Sequence, residues 1–136
     1  MNISHEEKRG LHTVHLTPLA EDVYQANKAK GFWEGKRNKG ELLMLVTSEL
    51  AEALEADRKG RYAVTGLLDS LLKVEDNERF KADFERLVKD TFEDEVADAV
   101  IRLLDMSGGL GIDIAKHVEL KLRYNSLRAP KHGKLY

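Results

Sequence analysis

The sequence predicts an all-α protein, and three observations support this fold class. Glu, Lys, Leu and Ala dominate a chain of 136 residues that is 42% hydrophobic and 34% charged. Only two prolines are present, and runs of β-branched residues are scarce. Apolar residues recur at helical spacing in segments that end at glycines. A helical domain with a substantial core is therefore expected.

The first helix is predicted to begin at Thr17 as the N-cap, with Pro18 at its first position, and to end at Gly31. Residues 1–16 before it are expected to form a polar N-terminal arm. Phe32 and Trp33 follow at once in the loop KGFWEGKRNKG. Two interpretations stay open for these rings. They could plug the space between the first and second helices, or one ring could stack on a flat ligand such as a base.

The second helix is predicted from Glu41 to Arg58 and contains the stretch SELAEALE. Glu49 and Glu52 are three residues apart, so a helix places them on one face. One heptad earlier, that face carries leucines at positions 42 and 45. A carboxylate on an apolar face is costly to bury unless it is paired or binds a metal.

A second acidic pair lies in the other strongly apolar helix. This helix is predicted over FEDEVADAVIRLLDM, with Thr91 as its cap and a break at Ser107–Gly111. Its apolar residues cover a broad face, which predicts a central position, so Glu95 and Asp98 should lie in or beside buried surface. Residues 62–89, between the two acidic helices, predict a short apolar helix and then an amphipathic one.

The four acidic side chains are candidates for one metal centre. If Glu49, Glu52, Glu95 and Asp98 converge, their repulsion requires a counter-cation. Oxygen-only ligands favour Mg²⁺, or Mn²⁺ in its place. The alternative is that each pair is an exposed polar stripe with ordinary salt bridges.

The last helix, predicted from Ile112 to Ser126, carries a basic side. The residues concerned recur at spacings of three and four and continue into a basic tail at 129–136: Lys121, Tyr124, Asn125, Arg128 and then Lys131. One interpretation is a basic helix end that suits the helix dipole. The other is a clamp for phosphate oxygens facing a metal.

Charge and composition exclude several classes. A net charge of −2 does not support binding to a nucleic acid polymer. The chain has no cysteine, and no apolar run approaches the roughly 20 residues that span a bilayer. The polar start MNISHEEKRG does not fit a secretory signal. A cytoplasmic protein without membrane attachment is expected.

Three stretches together resemble the MazG-like nucleotide pyrophosphohydrolases: SELAEALEADRKG, FEDEVADAVIRLLD and KLRYNSLRAPKHGKLY. This family belongs to the all-α NTP pyrophosphatase superfamily, with the dCTP pyrophosphatases and dimeric dUTPases. Its pattern is EExxE followed by ExxD. Ser48 stands where the first Glu of that pattern often lies, and residues 62–89 lengthen the usual gap between the two motifs.

The resemblance covers most of the chain from residue 17 onward and implies a four-helix-bundle-like MazG-type domain, here 17–128, that oligomerises through its helices into a homodimer or homotetramer. It implies hydrolysis of a nucleoside triphosphate to the monophosphate and pyrophosphate. It assigns the metal to the four acidic residues above. A carboxylate not fully used as a ligand, Glu49 or Glu52, could then accept the proton of the attacking water. The substrate would then contact Phe32 or Trp33 and the basic residues of the last helix. The alternative is a non-catalytic helical module that senses nucleotides or binds a protein.

Overall fold

The computed structural model describes residues 13–129, and every regular element in this range is helical. The predicted all-α class is therefore confirmed. Six α-helices follow one another: α1 (Leu16–Ala29), α2 (Lys39–Arg58), α3 (Leu68–Leu72), α4 (Asn77–Leu87), α5 (Phe92–Gly109) and α6 (Ile114–Ser126). A single 3₁₀ turn, Thr65–Leu67, leads into α3. Among these residues, no helix is both long enough and apolar enough to cross a membrane.

The chain divides into two compact units, each of which is described by itself. One unit is contiguous and runs from Arg37 to Leu103. The other, which we call the discontinuous unit, combines the segment up to Lys36 with the segment from Leu104 onward. Its described part is 13–36 and 104–129. The boundary falls inside α5. All four predicted metal ligands belong to the contiguous unit.

Side-chain caps explain where the helices of the contiguous unit begin. Asn38 accepts a hydrogen bond from the backbone N–H of Glu41 at 3.1 Å, which starts α2 two residues before the predicted Glu41. Thr91 accepts one from the backbone N–H of Asp94 at 3.3 Å, which confirms its predicted role at the start of α5. These bonds satisfy N–H groups that have no partner within the helix.

The prediction that Thr17 caps the first helix is wrong. Helix α1 begins at Leu16 with His15 as the N-cap, and His15 makes no capping side-chain bond. The Thr17 hydroxyl instead donates to Oδ1 of Asp113 at 2.9 Å and accepts from the backbone N–H of Ala115 at 3.1 Å. Thr17 therefore caps the start of α6, a contact between distant residues that local sequence rules do not describe.

The predicted helix break at Ser107–Gly111 is also wrong at its start, because α5 continues to Gly109. A methyl group at Gly108 would lie 2.6 Å from Cβ of Tyr24 and 2.7 Å from the carbonyl oxygen of Ala20. A methyl group at Gly109 would collide with the Trp33 ring. The two glycines thus permit close packing inside the helix, and the chain turns only at Gly111, where φ is +67°.

Much of the predicted apolar face of α5 is exposed rather than central. Ala99 and Leu104 are buried. Five large apolar side chains on the same helix remain exposed, and four of them share one face: Phe92, Val96, Val100 and Leu103. Their spacing of four, four and three residues forms one continuous stripe, which we call the α5 stripe.

Candidate metal centre

Glu49 occupies a core position of α2. The buried residues of this helix are spaced by four and three, as expected for one face: Leu42, Val46, Glu49, Ala53 and Ala56. Glu49 is the only charged member of this row and is 6% exposed. The predicted burial of a carboxylate on the leucine face is therefore confirmed for Glu49. Glu52 lies at the edge of that face and is exposed.

Glu95 occupies the equivalent kind of position on α5. It follows the buried Thr91 and precedes the buried Ala99, each by four residues, and it is only 5% exposed. Asp98 lies almost one turn further along the same helix and is partly buried. Both acidic residues of α5 thus lie in or beside buried surface, as their places in the sequence predict.

The structure brings three of the four predicted ligands together. One carboxylate oxygen from each of Glu49, Glu52 and Glu95 lies within 4.8 Å of the other two. We call these three residues the carboxylate cluster. Mg²⁺ holds oxygen ligands at about 2.0–2.1 Å, so neighbouring ligands on one ion are about 2.9 Å apart and opposite ligands about 4.2 Å apart. The cluster could therefore hold a cation once its side chains move closer together. Asp98 is outside this group.

Burial and repulsion make Glu95 hard to ionise. Loss of solvent is the main cause, and the negative charges of Glu52 and Glu49 add to it, raising the pKa of Glu95 from 4.5 to about 7. The pKa of Asp98 is raised in the same way, first by burial and then by Asp94. In such an environment, a bound cation strongly stabilises the ionised form of a carboxyl group.

Arg102 places one positive charge beside the carboxylate cluster. Its Nε donates to Oε1 of Glu49 at 2.5 Å, although Arg102 itself is 40% exposed. The sequence interpretation did not include Arg102. Its position four residues after Asp98 was a usable signal, because acidic and basic residues at this spacing commonly pair along a helix. The structure shows instead that Arg102 pairs with Glu49 on α2.

Trp33 is engaged in packing inside the discontinuous unit. Its Nε1 donates to Oδ1 of Asp105 at 2.8 Å, and its ring meets Tyr24 edge to face at a centroid distance of 5.3 Å. These contacts pack Trp33 against α1 and α5, in agreement with the packing role that was one of its two interpretations. Phe32 is 59% exposed. Base stacking by either ring stays a prediction.

The basic residues of α6 cluster around one exposed ring. The Lys121 ammonium lies 5.1 Å from the centroid of Tyr124, and the Arg128 guanidinium lies 5.7 Å from it. Asn125 Oδ1 is buried and has no hydrogen-bond partner among the described residues. Lys131 lies outside the described residues. These side chains belong to the discontinuous unit, and their predicted role at phosphate stays a prediction.

Comparison of the chain with models of known protein families, with curated proteins and with solved structures finds no match.

Proposed function

We propose that this chain is a Mg²⁺-dependent nucleoside triphosphate pyrophosphohydrolase of the cytoplasm, with Mn²⁺ able to replace Mg²⁺. The observation that carries the proposal is the carboxylate cluster, with two of its three acidic residues buried on helical core faces. The resemblance of its two motifs to the MazG-like enzymes supports the same activity. Oxygen-only ligands of this kind suit a hard cation.

Glu49 and Glu95 would hold the ion from the two helices, and Asp98 follows Glu95 by three residues on α5. When bound, Mg²⁺ supplies polarisation of the phosphate oxygens. Glu52 is the better candidate for the base, because it is exposed to water whereas Glu49 is engaged by Arg102. It would accept the proton of the attacking water as the anhydride bond breaks and pyrophosphate departs.

Release of pyrophosphate from a panel of ribo- and deoxynucleoside triphosphates tests this function. Glu52→Gln is expected to lower the rate by about 100-fold or more, the usual contribution of a general base. Glu55→Gln is a matched control, because Glu55 is also exposed on α2 but is paired with Lys59 at 2.9 Å. Its rate should equal that of the unmodified protein. Absence of pyrophosphate with every nucleotide, in Mg²⁺ and in Mn²⁺, would overturn the enzyme proposal.

We further propose that the contiguous unit forms a homodimer or homotetramer. Besides the α5 stripe, α2 exposes large apolar side chains at Leu43, Leu50 and Leu54, whose spacing also forms one face. Two such stripes on one unit are typical of a surface that another helical layer covers. The same stripes also favour the alternative function, a helical module that binds nucleotide or protein without catalysis.

Sedimentation analysis tests the oligomer. Leu50→Glu is expected to shift the protein toward the monomer, because it places a charge inside the apolar stripe. Leu72→Glu is the control, since Leu72 is 81% exposed and lies on α3 outside both stripes. A monomeric unmodified protein at tens of micromolar would contradict the proposal.

A further inference from the structure

A groove lies between α4 and α5 within the contiguous unit. Its volume is about 370 Å³, within the usual range for small-molecule sites. Its lining combines two aromatic rings, two lysines and four carboxylates: Phe80, Phe84, Lys81, Lys89, Glu85, Asp90, Asp94 and Asp98. Most of these residues come from the segment 62–89 or the turn after it, to which the sequence assigned no function.

Two rings of α4 form the apolar part of the groove. Phe80 and Phe84 are four residues apart, and their centroids are separated by 6.0 Å at an interplanar angle of 34°. Helix α4 buries none of its residues. Phe80 is 37% exposed, and Phe84 is partly exposed. The rings therefore retain open surface on which a flat ligand could stack.

The turn after α4 holds the groove in a defined shape. Asp90 has a φ of +59°, a left-handed conformation that is uncommon for a residue with a side chain. Its backbone N–H donates to Oδ2 of Asp94 at 3.0 Å. The backbone N–H of Asp94 in turn donates to Thr91. The start of α5 therefore fixes the position of this wall.

The groove and the candidate metal centre share helix α5. Asp98 lines the groove, and Glu95, three residues earlier on the same helix, belongs to the carboxylate cluster. A ligand in the groove would have aromatic side chains of α4 on one side and would also contact α5, the helix that carries Glu95.

Charge limits what kind of ligand fits. The lining carries four carboxylates and only two lysines, so a bare polyphosphate would be repelled. A polyphosphate that shares a cation with the carboxylate cluster would not be. Lys89 is already 3.7 Å from Asp90. Lys81 has no ion pair within the described residues, which makes it the better partner for a phosphate oxygen.

We propose that this groove binds the nucleotide, with the base stacked on Phe84 and Phe80 and with Lys81 neutralising the phosphate chain beside the cation. The inference rests on the proposed function and assigns the base-binding role to α4. In this proposal, the segment 62–89 forms the side of the groove that binds the base.

Calorimetric titration of the full-length protein tests the groove without turnover. The probes are α,β-imido analogues of the common deoxynucleoside triphosphates, and inorganic tripolyphosphate as a probe that lacks a base, all with Mg²⁺. Phe84→Leu keeps an apolar side chain, although a smaller one, and removes the aromatic face. We expect it to weaken binding of the best analogue about 10-fold and to leave tripolyphosphate binding unchanged.

Two further variants complete the experiment. Lys81→Ala should weaken both probes alike, by up to about 5-fold, whereas the exposed control Lys73→Ala should weaken neither. Phe80→Leu serves as the second aromatic variant if Phe84→Leu fails to fold. The proposal that the groove binds the base would be overturned if the aromatic variants bound the analogue with unchanged affinity. It would also be overturned if they lost as much affinity for tripolyphosphate as for the analogue.

Failure of this inference is distinguishable from failure of the proposed function. Pyrophosphate release with unchanged affinity in the aromatic variants would keep the enzyme and reject the groove. Base-dependent binding without release would keep the groove and reject the enzyme.

Discussion

Arg102 on α5 donates from Nε to Oε1 of Glu49 on α2 at 2.5 Å, so one buried ligand of the candidate metal centre already has a cationic partner. The pair joins two helices that are far apart in sequence. It also places a positive charge beside Glu49 where a metal ion would otherwise be the main source of neutralisation.

Removal of this partner should therefore cost stability mainly when metal is absent. Arg102→Met is expected to lower the stability in EDTA by about 1–3 kcal/mol, because a buried carboxylate loses its donor. The loss should shrink in Mg²⁺, which neutralises the same group. Thermal melts in both conditions measure the difference. Arg86→Met is the control, since its pair with Asp83 is on the surface. Equal losses in EDTA and Mg²⁺ would contradict the shared role.

The metal-free protein should become less stable as pH rises. Because the pKa of Glu95 is raised to about 7, the folded state holds a proton that the unfolded state releases near pH 4.5. Its contribution to stability is therefore present at low pH and is lost as pH rises through about 7. In EDTA, Glu95→Gln should raise the thermal midpoint by several degrees at pH 8 and by less at pH 5. Parallel midpoint curves for the two proteins would refute this assignment.

Mg²⁺ should offset the loss of stability that ionised Glu95 causes at high pH. The ion binds the ionised carboxylates, so its stabilising effect should increase from pH 5 to pH 8. Glu95→Gln should lose most of the Mg²⁺-induced rise in the thermal midpoint, whereas the surface variant Glu55→Gln should keep it. A rise of equal size in both variants would show that the ion binds elsewhere.

Gly108→Ala should destabilise the protein even though alanine is the better helix former. The added methyl group would collide with Tyr24 and the backbone of Ala20, which is 1% exposed. We expect a loss of about 1–3 kcal/mol, the usual cost of overpacking. Gly66→Ala is the control, because nothing lies within 4 Å of its added methyl group. Denaturant unfolding of both variants measures the contrast, and equal stabilities would reject close packing at Gly108.

The hydrogen bond between Trp33 and Asp105 should stabilise the discontinuous unit. Trp33→Phe removes the donor and leaves a carboxylate that is 8% exposed, so a loss of about 1–3 kcal/mol is expected. A double-mutant cycle with Asp105→Ala isolates the bond from the packing of the ring. A coupling energy near zero would count against it.

Local patterns in the sequence account for the helices and for part of the metal centre. Thr91 follows the capping rule, and the burial of Glu49 follows from the leucine one heptad earlier. Features that depend on distant residues were missed. In the sequence Gly108 looks like a helix breaker, but in the structure it gives room for Ala20 and Tyr24. Arg102 looks like a surface cation, but it forms an ion pair with Glu49.

The hydrogen bond between Thr17 and Asp113 joins residues that are 96 positions apart. The two partners are therefore synthesised at clearly different times. A ribosome that adds about 5–20 residues per second delivers Asp113 roughly 5–20 s after Thr17. Helix α1 therefore emerges long before the helix whose start it caps. The segment Arg37–Leu103 is contiguous and needs no such delay. The growing chain is thus expected to assemble its carboxylate cluster first and to join its two outer segments last.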